Sequence, residues 1–250
     1  MRILLINGNT TPFVTETAAA EARRVAAAGT EIVAVTGRTG ARIITTRFEN
    51  AIAQREMVAL AARHSGGMDA VLIAVSYDTT LPALRELLTI PVVGMTEAAL
   101  ATAHLIGGRI GLVTMTRRAQ PVYRELVEGY GLARRVCGWR TIDDTRAYAP
   151  GDTSAVDALL VEACNDLVER DLAEVIVLLG AVMAGAPLRL QDRVPVPLLD
   201  GIACGVVQAE VLVRLNRPKP LVGSYALPGF RHLDGVEPEI TELLRRQAER

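Results

Sequence analysis

At 250 residues, half of them apolar and only 4% aromatic, the chain can bury a core of Val, Leu, Ile and Ala as one large domain or two small lobes. A formal net charge of -1 offers no basic footprint for nucleic acid and no polybasic patch for a membrane surface. Cys137, Cys164 and Cys204 are odd in number and far apart, which argues against a disulfide framework or a zinc knuckle.

The residues open at Arg2-Ile3-Leu4-Leu5-Ile6, which reads as a strand with no apolar signal segment ahead of it. A turn follows at Asn7-Gly8-Asn9-Thr10-Thr11, where Gly and Asn tolerate the backbone angles required. An Ala-rich helix is predicted over 15–28, a strand over 31–36, and a helix over 49–64 from Ala53, Met57, Leu60 and Ala61 at helical spacing. Ala70 to Val75 is a short apolar run, read as a buried strand that empties into Ser76-Tyr77-Asp78-Thr79-Thr80 and then a helix near 81–88. A short strand at 91–95 leads to a helix through Leu105 that Thr96 is expected to cap. A strand over 109–113 ends at Thr114-Met115-Thr116, and a helix over 120–130 has Pro121 in its first turn.

Residues 135–139 suggest a strand and 141–151 a loop. Ser154-x-x-Asp157 reads as a capping box, with Val156, Leu159, Leu160, Ala163 and Leu167 behind it on one helix face. Glu174 to Leu179 is a second buried strand, opening at Gly180-Ala181-Val182-Met183-Ala184-Gly185. The longest apolar run, Val175 to Leu188, holds roughly fourteen residues against the ~20 of a membrane helix, and Gly180, Gly185 and Pro187 interrupt it. A strand is predicted over 194–199, ending at Asp200-Gly201. The helix over 202–215 is apolar nearly all round, which places it between layers. A charged helix over 238–250, expected to present a solvated face, ends the chain.

Strands alternating with helices predict an α/β fold with mostly parallel sheets. Two similar strand-to-loop mouths, at Ser76 and at Gly180, predict two pseudo-symmetric lobes with a cleft between them. Ligands gather beyond the carboxyl ends of strands in such sheets. The lobes are expected at 1–95 plus about 202–250, and at 96–201.

Four stretches then resemble the aspartate/glutamate/hydantoin racemase family, its hydantoin and allantoin racemase branch especially. They are Ile6-Asn7-Gly8-Asn9-Thr10-Thr11, Asp78-Thr79-Thr80-Leu81-Pro82-Ala83-Leu84-Arg85-Glu86, Pro91-Val92-Val93-Gly94-Met95-Thr96-Glu97-Ala98 and Val194-Pro195-Val196-Pro197-Leu198-Leu199-Asp200-Gly201. The resemblance spans about residues 1 to 215. It implies two α/β lobes around one site, and cofactor-free proton exchange at a carbon beside a carbonyl. In the family one cysteine per lobe performs that exchange as thiolate and thiol, a role suited to a free pKa of about 8.5. Here the alignment puts Val75 and Ala181 at those positions, so neither can exchange a proton.

The candidates that remain are oxygen groups. Asp78 and Ser76 are read as catalytic, with helix capping the structural alternative for Asp78. Asn9, Thr10, Tyr77, Thr79, Thr80, Thr114 and Thr116 are read as groups for substrate oxygens, with turn and cap chemistry as the alternative. Ala181, Val182 and Met183 would shape an apolar wall. Asp200 is read first as a helix cap, and Cys204 as a buried hydrophobe. Nothing in the spacing of His64, His104 and His232 suggests a metal site or a serine triad, and no cofactor is expected. The reading is a cytoplasmic, homo-oligomeric, cofactor-independent isomerase acting on a small hydantoin- or amino-acid-like compound. A lyase or hydrolase on the same scaffold, and a binding protein without turnover, are the alternatives.

Overall fold

The computed structural model describes residues 1–144 and 146–248. The first lobe is built from β1 (Arg2–Asn7), α1 (Pro12–Val25), β2 (Glu31–Thr36), α2 (Arg47–His64), β3 (Ala70–Ile73), α3 (Leu81–Leu87) and β4 (Val92–Gly94). Its sheet runs β2-β1-β3-β4, all parallel, with Leu5 beside Leu72 and Val71 beside Val92. Ile3, Leu4, Leu5 and Ile6 have no exposed surface on either face, as helices on both sides of a parallel sheet require.

The chain crosses to the second lobe through α4 (Met95–Ile106). That lobe comprises β5 (Ile110–Thr114), α5 (Gln120–Gly129), β6 (Val136–Thr141), α6 (Ser154–Asp171), β7 (Val175–Leu179), α7 (Ala186–Leu190) and β8 (Leu198–Asp200). Its sheet runs β6-β5-β7-β8, again all parallel. The two orders are one topology used twice. In each sheet the direction of winding reverses between the two central strands, so β1/β3 and β5/β7 flank switch points, where such sheets bind ligands. The turns after β1 and β5 and the loops after β3 and β7 are therefore the four segments that a cleft can use.

Helix α8 (Gly201–Leu215) packs on α1, β3, β4 and α4, and α9 (Pro238–Ala248) packs on α2. The expectation that α8 lies between layers is corrected. Ile202, Val206 and Ala209 are buried, whereas Val207, Val211 and Leu215, one stripe at helical spacing, are about half exposed. Helix α9 is amphipathic rather than wholly solvated, burying Ile240 and Leu244 against the first lobe. Strand β8 is shorter than the apolar run predicts. Pro195 and Pro197 lack the N–H a ladder needs, and pairing begins at Leu198.

Two expected caps also differ. Helix α6 starts after Thr153, and Asp157 accepts from the Thr153 hydroxyl (3.0 Å) and pairs with Arg189 (2.9 Å), so Ser154 is not its cap. A reciprocal capping box stands instead at Thr46 and Glu49, opening α2. Thr96 lies inside α4 rather than capping it. Among the described residues no helix is long and apolar enough to cross a membrane.

Candidate active site

The mouth of the first lobe is the segment 74–80. After Ile73 the chain leaves the ladder, and Asp78 and Thr80 both take left-handed angles (φ 47° and 69°), uncommon for any residue but glycine. Such angles persist only where surroundings over-determine them, and here they do. Thr96 donates its hydroxyl to the Ser76 carbonyl (2.7 Å). Tyr77 donates to the Thr45 carbonyl (2.8 Å), and Thr79 to the Asn50 side chain (2.6 Å). The Thr80 hydroxyl reaches the Gln54 carbonyl only at 3.5 Å.

Asp78 is the hub. One carboxylate oxygen accepts from the Thr96 amide (3.0 Å), the other from the Glu97 amide (2.8 Å) and from the Tyr130 hydroxyl (2.7 Å). It thus supplies the cap that α4 lacks locally, because Gly94 is the residue ahead of that helix. The glycine is obligatory: a Cβ at 94 would stand 2.4 Å from Asp78 Cγ. Burial pushes the Asp78 carboxyl up to about 7, against the three donors that favour its ionised form.

Ser76, half-buried, faces the other way. Its hydroxyl lies 2.5 Å from the hydroxyl of Tyr123, which α5 brings from the second lobe. The Tyr123 ring meets Tyr77 edge-on with centroids 4.9 Å apart. Burial holds the Tyr123 phenol well above its ordinary range, so it stays protonated. In a neutral Ser–Tyr pair one O–H is spent on the partner and the other remains to donate. A pair of this kind can stabilise a negative oxygen.

The turn after β1 stands alongside. A Cβ at Gly8 would touch Met57 and Val75, which places the turn against the residue aligned with the family's first cysteine. Asn9 is buried, and its side-chain Oδ1 accepts from the Asn7 side-chain Nδ2 (3.0 Å) and the Thr11 backbone N–H (2.9 Å); Thr10 is anchored through its own N–H to the Ala41 carbonyl. Beyond β5, Thr114 pairs with the Thr141 hydroxyl (2.8 Å), and Thr116 accepts from the Ala119 N–H (3.3 Å). These hydroxyls are engaged within the protein.

The second mouth is apolar. Gly180 (φ 140°) and Gly185 (φ 77°) bracket a short 3-10 turn, Ala181–Met183, with Met115 packed on Gly180. The turn Arg146–Tyr148 packs on it, and the half-buried Tyr148 phenol, pushed up to about 12 by loss of water, bears electrostatically on both Tyr77 and Tyr123. Tyr123 and Ala181 share one buried cluster with Tyr148 packed against it, and Ser76 meets that cluster through Tyr123, which links the two mouths. Asp200 caps α8 through the Ile202 and Ala203 amides (both 2.9 Å), and burial raises its carboxyl to about 6. Cys204 is buried, its thiol pushed up to about 11.

The behaviour of one loop divides the sequence candidates. Ser76 faces the wall between the mouths. Tyr77, Asp78, Thr79 and Thr80 line a groove of about 960 Å³ behind it, together with Arg85, Glu97 and Tyr130. Sequence reasoning missed Tyr123, Tyr130 and Tyr148. The first two were within reach: they stand seven residues apart, the spacing of two helical turns, Tyr123 in α5 and Tyr130 as the residue that ends it. Among the described residues no cluster of His, Cys, Asp and Glu is arranged to hold a metal.

The comparisons agree with this geometry. The family model for Asp/Glu/hydantoin racemase matches residues 3–209. A hydantoin racemase from Paenarthrobacter aurescens is 32% identical over 91% of this chain and 98% of its own length. The allantoin racemase of Klebsiella pneumoniae superposes with a TM-score of 0.91 at 32% identity, covering 96% of this chain and 98% of that one. The enzyme from Pseudomonas fluorescens gives 0.89 at 34% identity, over 94% of this chain and all of the other. With the family's doubled sheet, its paired mouths and most of its length in register, the chain belongs to the Asp/Glu/hydantoin racemase family, a superfamily of isomerases.

Proposed function

We propose that the protein is a cofactor-independent racemase of a small hydantoin- or amino-acid-like carbonyl compound, and that it works through hydroxyl groups instead of two thiols. The observation that carries this reading is the Ser76–Tyr123 pair, 2.5 Å apart at the wall where the lobes meet. Removing a proton from a carbon beside a carbonyl puts negative charge on the carbonyl oxygen. Ser76 and Tyr123 donate to that oxygen as the charge develops, and burial makes the donation stronger than it is in water. A carbon already activated by two flanking groups then exchanges its proton with a weak base, water included. Val75 and Ala181 leave both faces of that carbon apolar. Asp78, with both oxygens engaged, holds the loop rather than taking the proton.

Catalysis in the cytoplasm by a homo-oligomer is part of the same reading. The apolar stripe on α8 and three unpaired cysteines support it.

Incubation with 5-substituted hydantoins, allantoin and amino acids in D2O tests the proposal. The expected result is deuterium at the α-carbon with loss of optical rotation. One observation favours a second reading: the site offers oxyanion donors but commits its mouth carboxylate to a cap. A lyase breaks the bond from the α-carbon to a carboxylate, releases carbon dioxide, steadies the enolate left behind with just those donors, and lets the α-carbon take a proton from water, removing none. A product of lower mass selects that reading and sinks racemisation.

A further inference from the structure

Tyr130 belongs to neither the family-like motifs nor the wall between the mouths, yet its hydroxyl crosses from the second lobe to the hub of the first. It donates to Asp78 at 2.7 Å, while its ring packs against the central cluster that both lobes share and against the first lobe's outer cluster. Tyr123, seven residues earlier on α5, makes the Ser76 contact. Helix α5, through Tyr123, and the residue that ends it, Tyr130, therefore hold the loop 76–80 at two points, Ser76 and Asp78. We infer that Tyr130 is a positioning residue: through Asp78 it latches the mouth loop to the second lobe, and this latch keeps Ser76 registered on Tyr123. The inference rests on the reading of Ser76 and Tyr123 as the catalytic hydroxyl pair.

The geometry gives the latch a definite chemistry. Three donors converge on two carboxylate oxygens, an arrangement that suits the ionised form. A proton on Asp78 converts an acceptor into a donor, and the hydroxyl of Tyr130 loses its place. The other charged groups around Asp78 are paired or modest in effect. Glu97 on α4 bears on it unfavourably and is engaged by Arg85 of α3, His104 lines the same groove two turns along α4, α2 presents the neutral Asn50 and Gln54, and α5 presents Tyr123 and Glu125, the latter paired with Arg47, with Tyr130 at its end. Among the described residues, Tyr130 is thus the partner of Asp78 that comes from beyond the crossing helix α4.

Two variants test this, with Asp78 labelled by 13C at its carboxyl. In Tyr130→Phe the carboxyl is expected to titrate roughly one unit higher, because a donor to its charged form is gone. The kcat of that variant is expected to fall about 10- to 100-fold with KM within about twofold, because the lost group aligns the reacting atoms without touching substrate. Replacing Tyr130 by 3,5-difluorotyrosine, an isosteric and stronger donor, is expected to move the carboxyl titration and the acid limb of the rate profile the opposite way. A Tyr130→Phe protein with wild-type kcat, or with lost kcat and an unmoved Asp78 titration, overturns the latch. If the wild type turns over none of the substrates above, the functional reading has failed; the latch is then decided by the Asp78 titration and by the Tyr123 ring signals, which broaden in Tyr130→Phe if it is right and stay sharp if it is wrong.

Discussion

The two mouths are built from one topology and solve the same problem in opposite ways. Each needs an aspartate at the start of the helix that follows the sheet's last strand. In the second lobe the aspartate is local: Asp200 ends β8 and caps α8 from its own position. In the first lobe that position is Gly94, and the carboxylate comes from Asp78, sixteen residues earlier on the loop after β3. The borrowed cap ties the first mouth to α4 and imposes left-handed angles on two residues with side chains. The second mouth reaches its unusual angles with Gly180 and Gly185 and stores no such strain. Polar chemistry sits on the strained, pinned mouth, and shape on the relaxed one.

The sharpest way to break the comparison is at its geometric cause. In Gly94→Ala the new Cβ meets backbone-anchored carboxylate atoms 2.4 to 2.7 Å away, so the cap must be expelled and a buried charge left without its amides. A loss of about 3–5 kcal/mol by urea unfolding is expected, with activity gone. Gly180→Ala, where the nearest atoms are at ordinary contact distance, has only its positive φ against it and should lose about 1–2 kcal/mol. Equal losses at the two sites would remove the distinction.

Titration separates the mouths next. Asp78 titrates at about 7 in the fold and at about 3.9 when unfolded, so the native state holds the extra proton between those values. Its contribution to stability is fully present below pH ~4 and is lost as pH rises through ~7, a fall of up to about 4 kcal/mol. Asp78→Asn has no such carboxyl, so the gap between wild type and variant should narrow or reverse in the variant's favour from pH 4 to pH 8. Asp200, raised only to about 6, has a narrower window, and Asp200→Asn should flatten the curve less. Denaturation at four pH values measures both slopes. A wild-type curve parallel to that of Asp78→Asn means the carboxyl is not buried as described.

Removing chemistry and removing shape should then give different kinetic signatures. Ser76→Ala or Tyr123→Phe takes away a proposed oxyanion donor, and kcat should drop about 10²- to 10³-fold with stability changed by about 1 kcal/mol. Val182→Ala in the second mouth removes only methyl groups from the wall, and kcat/KM should fall about tenfold or less. Steady-state rates on the substrate that exchanges fastest compare the two.

Much of this division was legible in the residues. Parallel strands buried on both faces are near-continuous apolar runs, so Ile3 to Ile6, Ala70 to Ile73 and Val175 to Leu179 announced themselves, and the two mouths with them. Ser76 was legible as a hydroxyl at a strand end, and Asp200 as a cap, because both roles are local. Asp78 was half legible. A carboxylate at a strand end signals either chemistry or capping, and here the helix it caps begins seventeen residues later, beyond the reach of any local pattern. The expected cap at Thr96 failed for the same reason. Tyr123 and Tyr130 left a faint signal, since two phenols stand at helical spacing in and just after α5, but only the lobe-to-lobe fold supplies their partners. The apolar ring of α8 was misread because hydrophobicity shows which faces avoid water, not whether a neighbour within the chain covers them.

The smallest effect bears most directly on why the first mouth is strained. Thr80 is β-branched and sits at φ 69°, where a side chain is crowded by its own backbone, and its hydroxyl bond to Gln54 is 3.5 Å long. Little holds Thr80 there except the ties on its neighbours at Tyr77, Asp78 and Thr79. Thr80→Gly removes the crowding and costs entropy in the unfolded chain, two contributions of similar size and opposite sign. The expected net is a stabilisation of about 0.5 kcal/mol, because left-handed strain in a branched residue exceeds the entropy term. The equivalent bracket of the second mouth behaves in the reverse sense: Gly185→Ala, at φ 77°, should destabilise by about 1 kcal/mol. If Thr80→Gly instead lowers the melting temperature by several degrees, the angle is supported by contacts of the threonine itself, and the strain attributed to the borrowed cap belongs to the side chain.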